Sequence, residues 1–336
     1  LPFKDERYSY WTKTTTKGNY SIKLRKKIDS DEIEEIWNGD LEKEKLKTEY
    51  FGLGDLEVSY NDKLLAYSLD LKGSEYYTIH IRDIKSREQV GEKIENTSGG
   101  ITFSLDDKYI FYSKLDDNHR PREIYRHEIG TPTSKDILIF KEESEAFTVG
   151  IGLSSDEKYF FITSSDHNTS EQYYFKADEI IPKPKLIDKR KRGIIYSVNS
   201  WNDNFYKHTN EDAEDFKIEK TNDLEKKEWE IFIPAREEVL IGGLIFLNDW
   251  IIRSETSNAL SKLILRNPKN DEEEEIFFSD EKVIVPGVSL TQRDRNTDTV
   301  YLSYSSPKTP GRTYLYNFKT KEKKLVKEQE IPSGHN

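Results

Sequence analysis

The 336-residue sequence contains no cysteine and no methionine. Without Cys there is no disulfide framework, no thiolate metal site and no cysteine nucleophile. No apolar run approaches the roughly 18 residues of a membrane-spanning helix, so no membrane partner is expected. The start, Leu1-Pro2-Phe3-Lys4-Asp5, is charged at once and unlike a secretory signal, which leads to the expectation of a cytoplasmic protein. The absence of Met in a chain that begins at Leu1 is read in either of two ways, as modified methionines missing from the sequence or as a trimmed chain. Basic residues are outnumbered, 52 against 63, for a net charge of −11. That balance disfavours nucleic acid as a partner and makes a cationic ligand the natural one.

Catalytic and ligand motifs are missing as well. An α/β-hydrolase needs G-x-S-x-G, where a strained strand-to-helix turn exposes the serine. The nearest string, Gly287-Val288-Ser289-Leu290-Thr291, lacks the second Gly. The histidines, His80, His119, His127, His167, His208 and His335, form no metal-spaced pair and read as solvated or core residues. Gly52-Leu53-Gly54 and Gly150-Ile151-Gly152 lack what a phosphate cradle requires and read as strand-edge or turn glycines. The acidic run Asp271–Glu275 reads as a solvated hairpin loop, and calcium is not expected there. Asp188-Lys189-Arg190-Lys191-Arg192-Gly193 reads as an exposed basic loop able to meet an acidic partner. No catalytic residue, cofactor or metal is assigned to this chain.

Aromatic residues are plentiful, at 12%, which argues against disorder. They recur in one phrase: acidic or amide residues, then Lys, then an aromatic-aliphatic run ending in Ser or Thr. It reads Asn61-Asp62-Lys63-Leu64-Leu65-Ala66-Tyr67-Ser68, Asp106-Asp107-Lys108-Tyr109-Ile110-Phe111-Tyr112-Ser113 and Asp156-Glu157-Lys158-Tyr159-Phe160-Phe161-Ile162-Thr163. Weaker copies begin at Asn202, Asn248 and Thr297. The anchors Leu64, Tyr109, Tyr159, Phe205, Trp250 and Val300 are 45, 50, 46, 45 and 50 residues apart. Each marks a turn followed by a strand, with further strand-like runs between anchors, such as Ile124–His127, Ile137–Phe140 and Glu275–Phe278.

Four strands per unit of this length is the signature of a β-propeller blade. With one unit before the first anchor, the expected fold is all-β: a seven-bladed β-propeller of four-stranded antiparallel blades, one domain over 1–336. The blades would fall near 1–50, 51–95, 96–142, 143–189, 190–235, 236–281 and 282–332. Only Asp31–Leu46 suggests a helix, short and on the surface.

Several phrases, in order, resemble the propeller portion of oligopeptidase B (protease II) enzymes in the prolyl oligopeptidase family of serine peptidases. They are Leu56–Ser59 with Lys63–Ser68, Asp70, Gly73–Glu75 and Ile81-Arg82-Asp83-Ile84; Pro121 with Tyr125-Arg126-His127 and Gly130-Thr131; Ser164-Ser165-Asp166 with Thr169-Ser170-Glu171; and Phe205-Tyr206 with Thr209-Asn210 and Phe216. The resemblance implies a second, α/β-hydrolase domain carrying the Ser, Asp and His of catalysis outside these residues. His335 is therefore not the catalytic histidine. It further implies that the propeller gates access of short cationic peptides cut after Lys or Arg, and that this stretch is inactive alone. A stand-alone protein-interaction propeller is the alternative, and a propeller glycosidase ranks below both because the Asp-box phrase is missing.

Overall fold

A computed structural model describes residues 1–334 of the protein; His335 lies outside them. The chain divides into two compact units. One comprises Leu1–Gly39, Ala213–Lys217 and the residues from Pro234 onward; the other comprises Asp40–Asp212 and Ile218–Ile233. Among the described residues no helix is long and apolar enough to cross a membrane.

Among the described residues the fold is all-β, and the expected count of seven blades is corrected to five. In the first unit three sheets are four-stranded antiparallel meanders. These are Phe3–Lys4, Tyr8–Lys13, Ile22–Lys27 and Ile33–Asn38; Leu240–Phe246, Ile251–Ser257, Leu260–Arg266 and Glu273–Glu275; and Val285–Leu290, Thr299–Ser305, Arg312–Asn317 and Lys323–Glu328. Two more belong, but for the single residue Lys217, to the second unit: Thr148–Leu153, Tyr159–Ser165, Ser170–Lys176 and Lys185–Leu186; and Tyr196–Trp201, Asn204–Thr209, Lys217–Thr221 and Glu230–Ile233.

The residues expected to supply two further blades form one continuous eight-stranded sheet. The joint is Ile94–Thr97, which pairs on one side with Tyr77–Asp83 (Tyr77↔Thr97, Ile79↔Ile94) and on the other with Tyr109–Leu115 (Lys114↔Thr97). A short strand whose two edges both meet a neighbour merges two meanders, because backbone N–H and C=O groups pair wherever register allows.

The recurrent phrase is a turn with a fixed chemistry. The Ser59 hydroxyl donates to Asn61 Oδ1 at 2.9 Å, the Lys63 amide donates to the same oxygen at 2.9 Å, and the Leu64 amide donates to Ser59 Oγ at 2.9 Å. The same bonds recur in Ser104–Asp106–Tyr109 and Ser154–Asp156–Tyr159. The residue before each Lys is left-handed, with φ of 59° at Asp62, 58° at Asp107 and 57° at Glu157. Short polar side chains tolerate that conformation best, which explains the acidic-amide preference at Asp62 and Asp107.

In the second unit these turns also staple neighbouring meanders. Both Asp107 oxygens accept backbone amides, from Tyr60 and Asn61, at 2.7 Å. Asp156 Oδ2 accepts the Ser200 hydroxyl at 2.8 Å, and Lys158 pairs with Asp203 at 2.6 Å.

The strands then bury their aromatic and branched residues face to face. Phe111, Ile124, Val149, Phe160, Ile162 and Phe175 form one cluster, with Phe111 and Phe160 centroids 4.8 Å apart. Leu247, Ile252, Leu265, Val300, Leu302 and Phe318 anchor another in the first unit. Each such side chain contributes about 1.5–3 kcal/mol by leaving water.

The expected helix over Asp31–Leu46 is half strand. Ile33–Asn38 pairs with Ile22–Lys27, burying Ile36 and Trp37, and only Gly39–Leu46 is helical. Likewise the run Glu275–Phe278 is strand only at its start, since the strand is Glu273–Glu275. Gly54 is in a strand as read, where a close approach requires it: a Cβ there would sit 2.6 Å from Ser68 Oγ and 2.8 Å from the Tyr77 ring.

Candidate functional site

In an antiparallel meander the first strand begins, the second ends, the third begins and the fourth ends along one rim. At that leading rim in the second unit, sequence-distant charges converge. Glu142, 3% exposed, follows the strand Ile137–Lys141; Ser164 closes the hairpin partner of Thr148–Leu153; Glu171 opens the next strand; and Arg190 lies just beyond Lys185–Leu186.

Glu142 Oε2 accepts the Ser164 hydroxyl at 2.5 Å and Arg190 Nη2 at 2.6 Å, and Oε1 accepts the Ser144 amide at 2.8 Å. Arg190 Nε donates to Glu171 Oε1 at 3.2 Å and its backbone amide to Oε2 at 2.9 Å, while the Tyr173 hydroxyl donates to Oε1 at 2.8 Å. The guanidinium also lies 4.0 Å over the Phe147 ring. Burial pushes the Glu142 carboxyl up, but the donors Ser164, Ser144 and Arg190 outweigh it and hold it below the usual carboxylate range. Burial and the neighbouring Glu171 carboxylate raise the Tyr173 phenol, which stays protonated as a donor.

The basic loop is thus only partly free. Arg190 is locked between two carboxylates, Lys191 pairs with Glu211 and Asp188 pairs with Lys207, whereas Lys189 and Arg192 are exposed.

The acidic run Asp271–Glu275 is solvent-exposed as expected, but from Glu273 on it is strand rather than loop, and Asp271 and Glu273 are held by guanidinium groups. Arg253, 4% exposed, bonds both Glu273 oxygens at 2.7 Å through Nη1 and Nη2, and its Nε bonds Glu255 at 2.8 Å. Arg266 bonds Glu273 and Asp271, each at 2.7 Å, and Arg236 contacts Glu255. Burial raises the Glu273 carboxyl, but the two guanidinium groups prevail and hold it low. Nothing in the run's own sequence discloses Arg253, which stands two strands away.

At the leading rim of the last sheet an open concavity of about 980 Å³ is lined by Gly287, Ser303, Tyr304, Arg312, Lys327 and Glu328. Arg312 Nε and Glu328 Oε2 pair across it at 2.5 Å.

These arrangements join carboxylates to guanidinium groups and hydroxyls; none of them sets a hydroxyl against an imidazole. Ser164 faces a carboxylate rather than an imidazole. His80 is buried and stacked on Tyr67 with centroids 5.0 Å apart, and desolvation, then Lys93, lowers its pKa to about 4. His119 Nε2 meets the Ser74 carbonyl. His127, fully buried, bonds Asp136 through Nδ1 at 2.7 Å, but its Nε2 has no partner. His167 is exposed and His208 is half-buried in the strand Asn204–Thr209. Ser289 lies in the regular strand Val285–Leu290, without an elbow. Among the described residues no group of three or more His, Asp or Glu could hold a metal ion.

Residues 1–329 match the family described as prolyl oligopeptidase, N-terminal β-propeller domain. Similar proteins include a dipeptidyl aminopeptidase BI from Pseudoxanthomonas mexicana, 28% identical over 99% of this chain and 48% of its own length. A protease 2 from Moraxella lacunata is 28% identical over 97% of this chain and 48% of its own. Among solved structures, oligopeptidase B from Leishmania major superposes with a TM-score of 0.91 at 19% identity, over all of this chain and 49% of that one. Oligopeptidase B from Trypanosoma brucei, with covalently bound antipain, gives 0.91 at 24% identity, again over all of this chain and 49% of that one. The chain spans about half the length of the relatives it matches. The aromatic-acidic turn repeat, the five four-stranded blades and the match over almost every residue have one explanation: the chain belongs to the prolyl oligopeptidase N-terminal β-propeller family.

Proposed function

We propose that this chain is the substrate-gating propeller of an oligopeptidase B-like serine peptidase that hydrolyses short peptides after Lys or Arg. The observation that carries the reading is the match over residues 1–329 to a domain that makes up about half of named peptidases. The hydrolase domain of the same parent protein is its partner and supplies the nucleophile. A propeller set against that domain confines the reaction, so that only chains narrow enough to enter reach it.

The charge supports the substrate class. A net −11 biases the encounter of cationic peptides, and the Glu142–Arg190–Glu171 network ties the leading rim together.

The test is hydrolysis of a chromogenic Arg-amide by the parent protein and by this chain alone. The expected result is turnover by the parent, none by the chain, and no cleavage of a folded Lys-rich protein by either. Turnover by the isolated chain, or a parent that prefers anionic peptides, refutes the reading.

A further inference from the structure

On the rim opposite the Glu142 network, the second unit carries a cavity of about 220 Å³ that the gating reading does not use. Tyr159 opens one strand beside it, Tyr174 lies near the end of the next, and Phe205 comes from the neighbouring meander. Tyr159 and Tyr174 are half-buried, so their rings reach solvent. The Tyr159 ring meets Phe205 at a centroid distance of 5.1 Å and 62°, and Tyr174 at 6.1 Å and 64°. The rings therefore present faces in different directions around one space.

The repeat shows what such a ring takes. Tyr109 and Tyr159 hold the same place in successive copies of the phrase. In the earlier copy Tyr109 stands opposite Glu128 and Phe111 opposite Arg126; in the later one Tyr159 stands opposite Lys176 and Phe161 opposite Tyr174. Arg126 lays its guanidinium 4.1 Å over the Tyr109 ring. Tyr174 occupies the matching position, and among the described residues no Lys or Arg lies over Tyr159, Tyr174 or Phe205. Where one copy supplies its own cation, the next offers open aromatic faces.

The charges on the lining point the same way. Three carboxylates, Glu179, Asp223 and Glu225, face two ammonium groups, Lys176 and Lys185. Lys185 is taken by Glu225 at 2.5 Å, and the ion pair of Asp223 is with Lys226, 4.0 Å away. Glu179 accepts the Lys176 and Lys183 amides but makes no ion pair among the described residues. Aromatic faces beside an unneutralised carboxylate attract a cation, and a guanidinium, more weakly hydrated than an ammonium, stacks on rings at the lower cost. Directly after Glu179 stand Ile180 and Ile181, 74% and 64% exposed, where an apolar neighbour of that cation can leave water.

We propose that this cavity binds the guanidinium of an arginine side chain in an extended peptide, between Tyr159 and Tyr174 and beside Glu179, with the adjoining apolar residue on Ile180 and Ile181. The site is independent of the peptidase reading, and the two fail separately: this one in binding to the isolated chain, the other in turnover by the parent.

The experiment is calorimetric titration of the 336-residue chain with acetyl-Arg-Leu amide and with its Lys and citrulline counterparts, the last keeping the planar head group without its charge. Saturable one-to-one binding of the Arg peptide is expected, with citrulline about tenfold and Lys about threefold weaker. Tyr174→Leu should weaken the Arg peptide about fourfold, the effect of one lost ring face. Glu179→Gln, in a loop outside the strands, should weaken it about threefold, and Lys176→Ala, which removes a competing ammonium, should tighten it. Ile180→Ser with Ile181→Ser should weaken acetyl-Arg-Leu amide and leave acetyl-Arg amide unchanged. Absence of saturable binding, citrulline bound as tightly as Arg, or indifference to Glu179→Gln overturns the proposal. Lys bound as tightly as Arg overturns the choice of guanidinium, and a double Ile variant that binds acetyl-Arg-Leu amide like the wild type overturns the peptide as its source.

Discussion

Acidification should weaken the second unit through His80. The ring is 8% exposed, lies flat on Tyr67, and shares its surroundings with the buried pair Arg82–Glu42, whose contact is 2.5 Å. Burial, then the positive charge of Lys93, lowers its pKa to about 4 from 6.5; the hydrogen bond to Gln89 opposes this only partly. Because the folded value is depressed, the unfolded chain binds a proton between pH 6.5 and 4 that the folded chain refuses. Stability is therefore unaffected above about pH 6.5 and falls as pH drops toward 4. At 1.36 kcal/mol per pKa unit, the loss from this one group is about 3 kcal/mol.

The assay is urea unfolding at pH 7.0, 6.0, 5.0 and 4.5 for the wild type and for His80→Phe, which keeps a ring on Tyr67 but cannot titrate. Carboxylates held below their usual range, such as Glu142, Glu273 and Asp70, also lose stability in acid, but equally in both proteins, so the difference isolates His80. The variant should fall less steeply, by about 1 kcal/mol per pH unit between pH 6 and 4.5. Parallel curves for the two proteins would falsify the assignment.

Three other perturbations test separate parts of the structure. Arg190→Met leaves Glu142 and Glu171 buried without their cation and should cost about 3 kcal/mol in chemical unfolding, whereas Glu142→Gln, which keeps hydrogen-bonding capacity, should cost less. Gly287→Ala places a Cβ 2.6 Å from Ser303 Oγ alone, whereas Gly54→Ala places one 2.6 Å from Ser68 Oγ and 2.8 Å from the Tyr77 ring; the second, which displaces two side chains, should be the larger loss, about 1–3 kcal/mol by thermal melting. Asp107→Ala removes both acceptors of the Tyr60 and Asn61 amides and places Ala at a φ of 58°, so about 2–3 kcal/mol should be lost, against about 1 kcal/mol for Ser104→Ala.

Strand starts were legible in the sequence because one local device writes them. In four of the six copies a residue in the left-handed conformation (Asp62, Asp107, Glu157, Asp203) precedes the strand, so the anchors Leu64, Tyr109 and Tyr159 open strands, while Phe205, Trp250 and Val300 each lie one residue from a strand's first residue. The serine two residues before Asn61, Asp106 and Asp156 was an available signal that the repeat reading passed over. The number of separate sheets was not legible. It turns on whether four residues, Ile94–Thr97, bond on one edge or two, and spacing says nothing about that. The partners of the acidic run were hidden for a similar reason: Arg253 and Glu273 meet across strands, 20 residues apart.

The join at Ile94–Thr97 has a mechanical meaning. Where neighbouring meanders touch only through side chains and turn staples, a load is met by sliding. From Gly52 to Lys141 backbone pairing also links the strands, through Tyr77↔Thr97 and Ile79↔Ile94 on one side of the joint and the single pair Lys114↔Thr97 on the other, so there a load meets main-chain bonds as well as side chains.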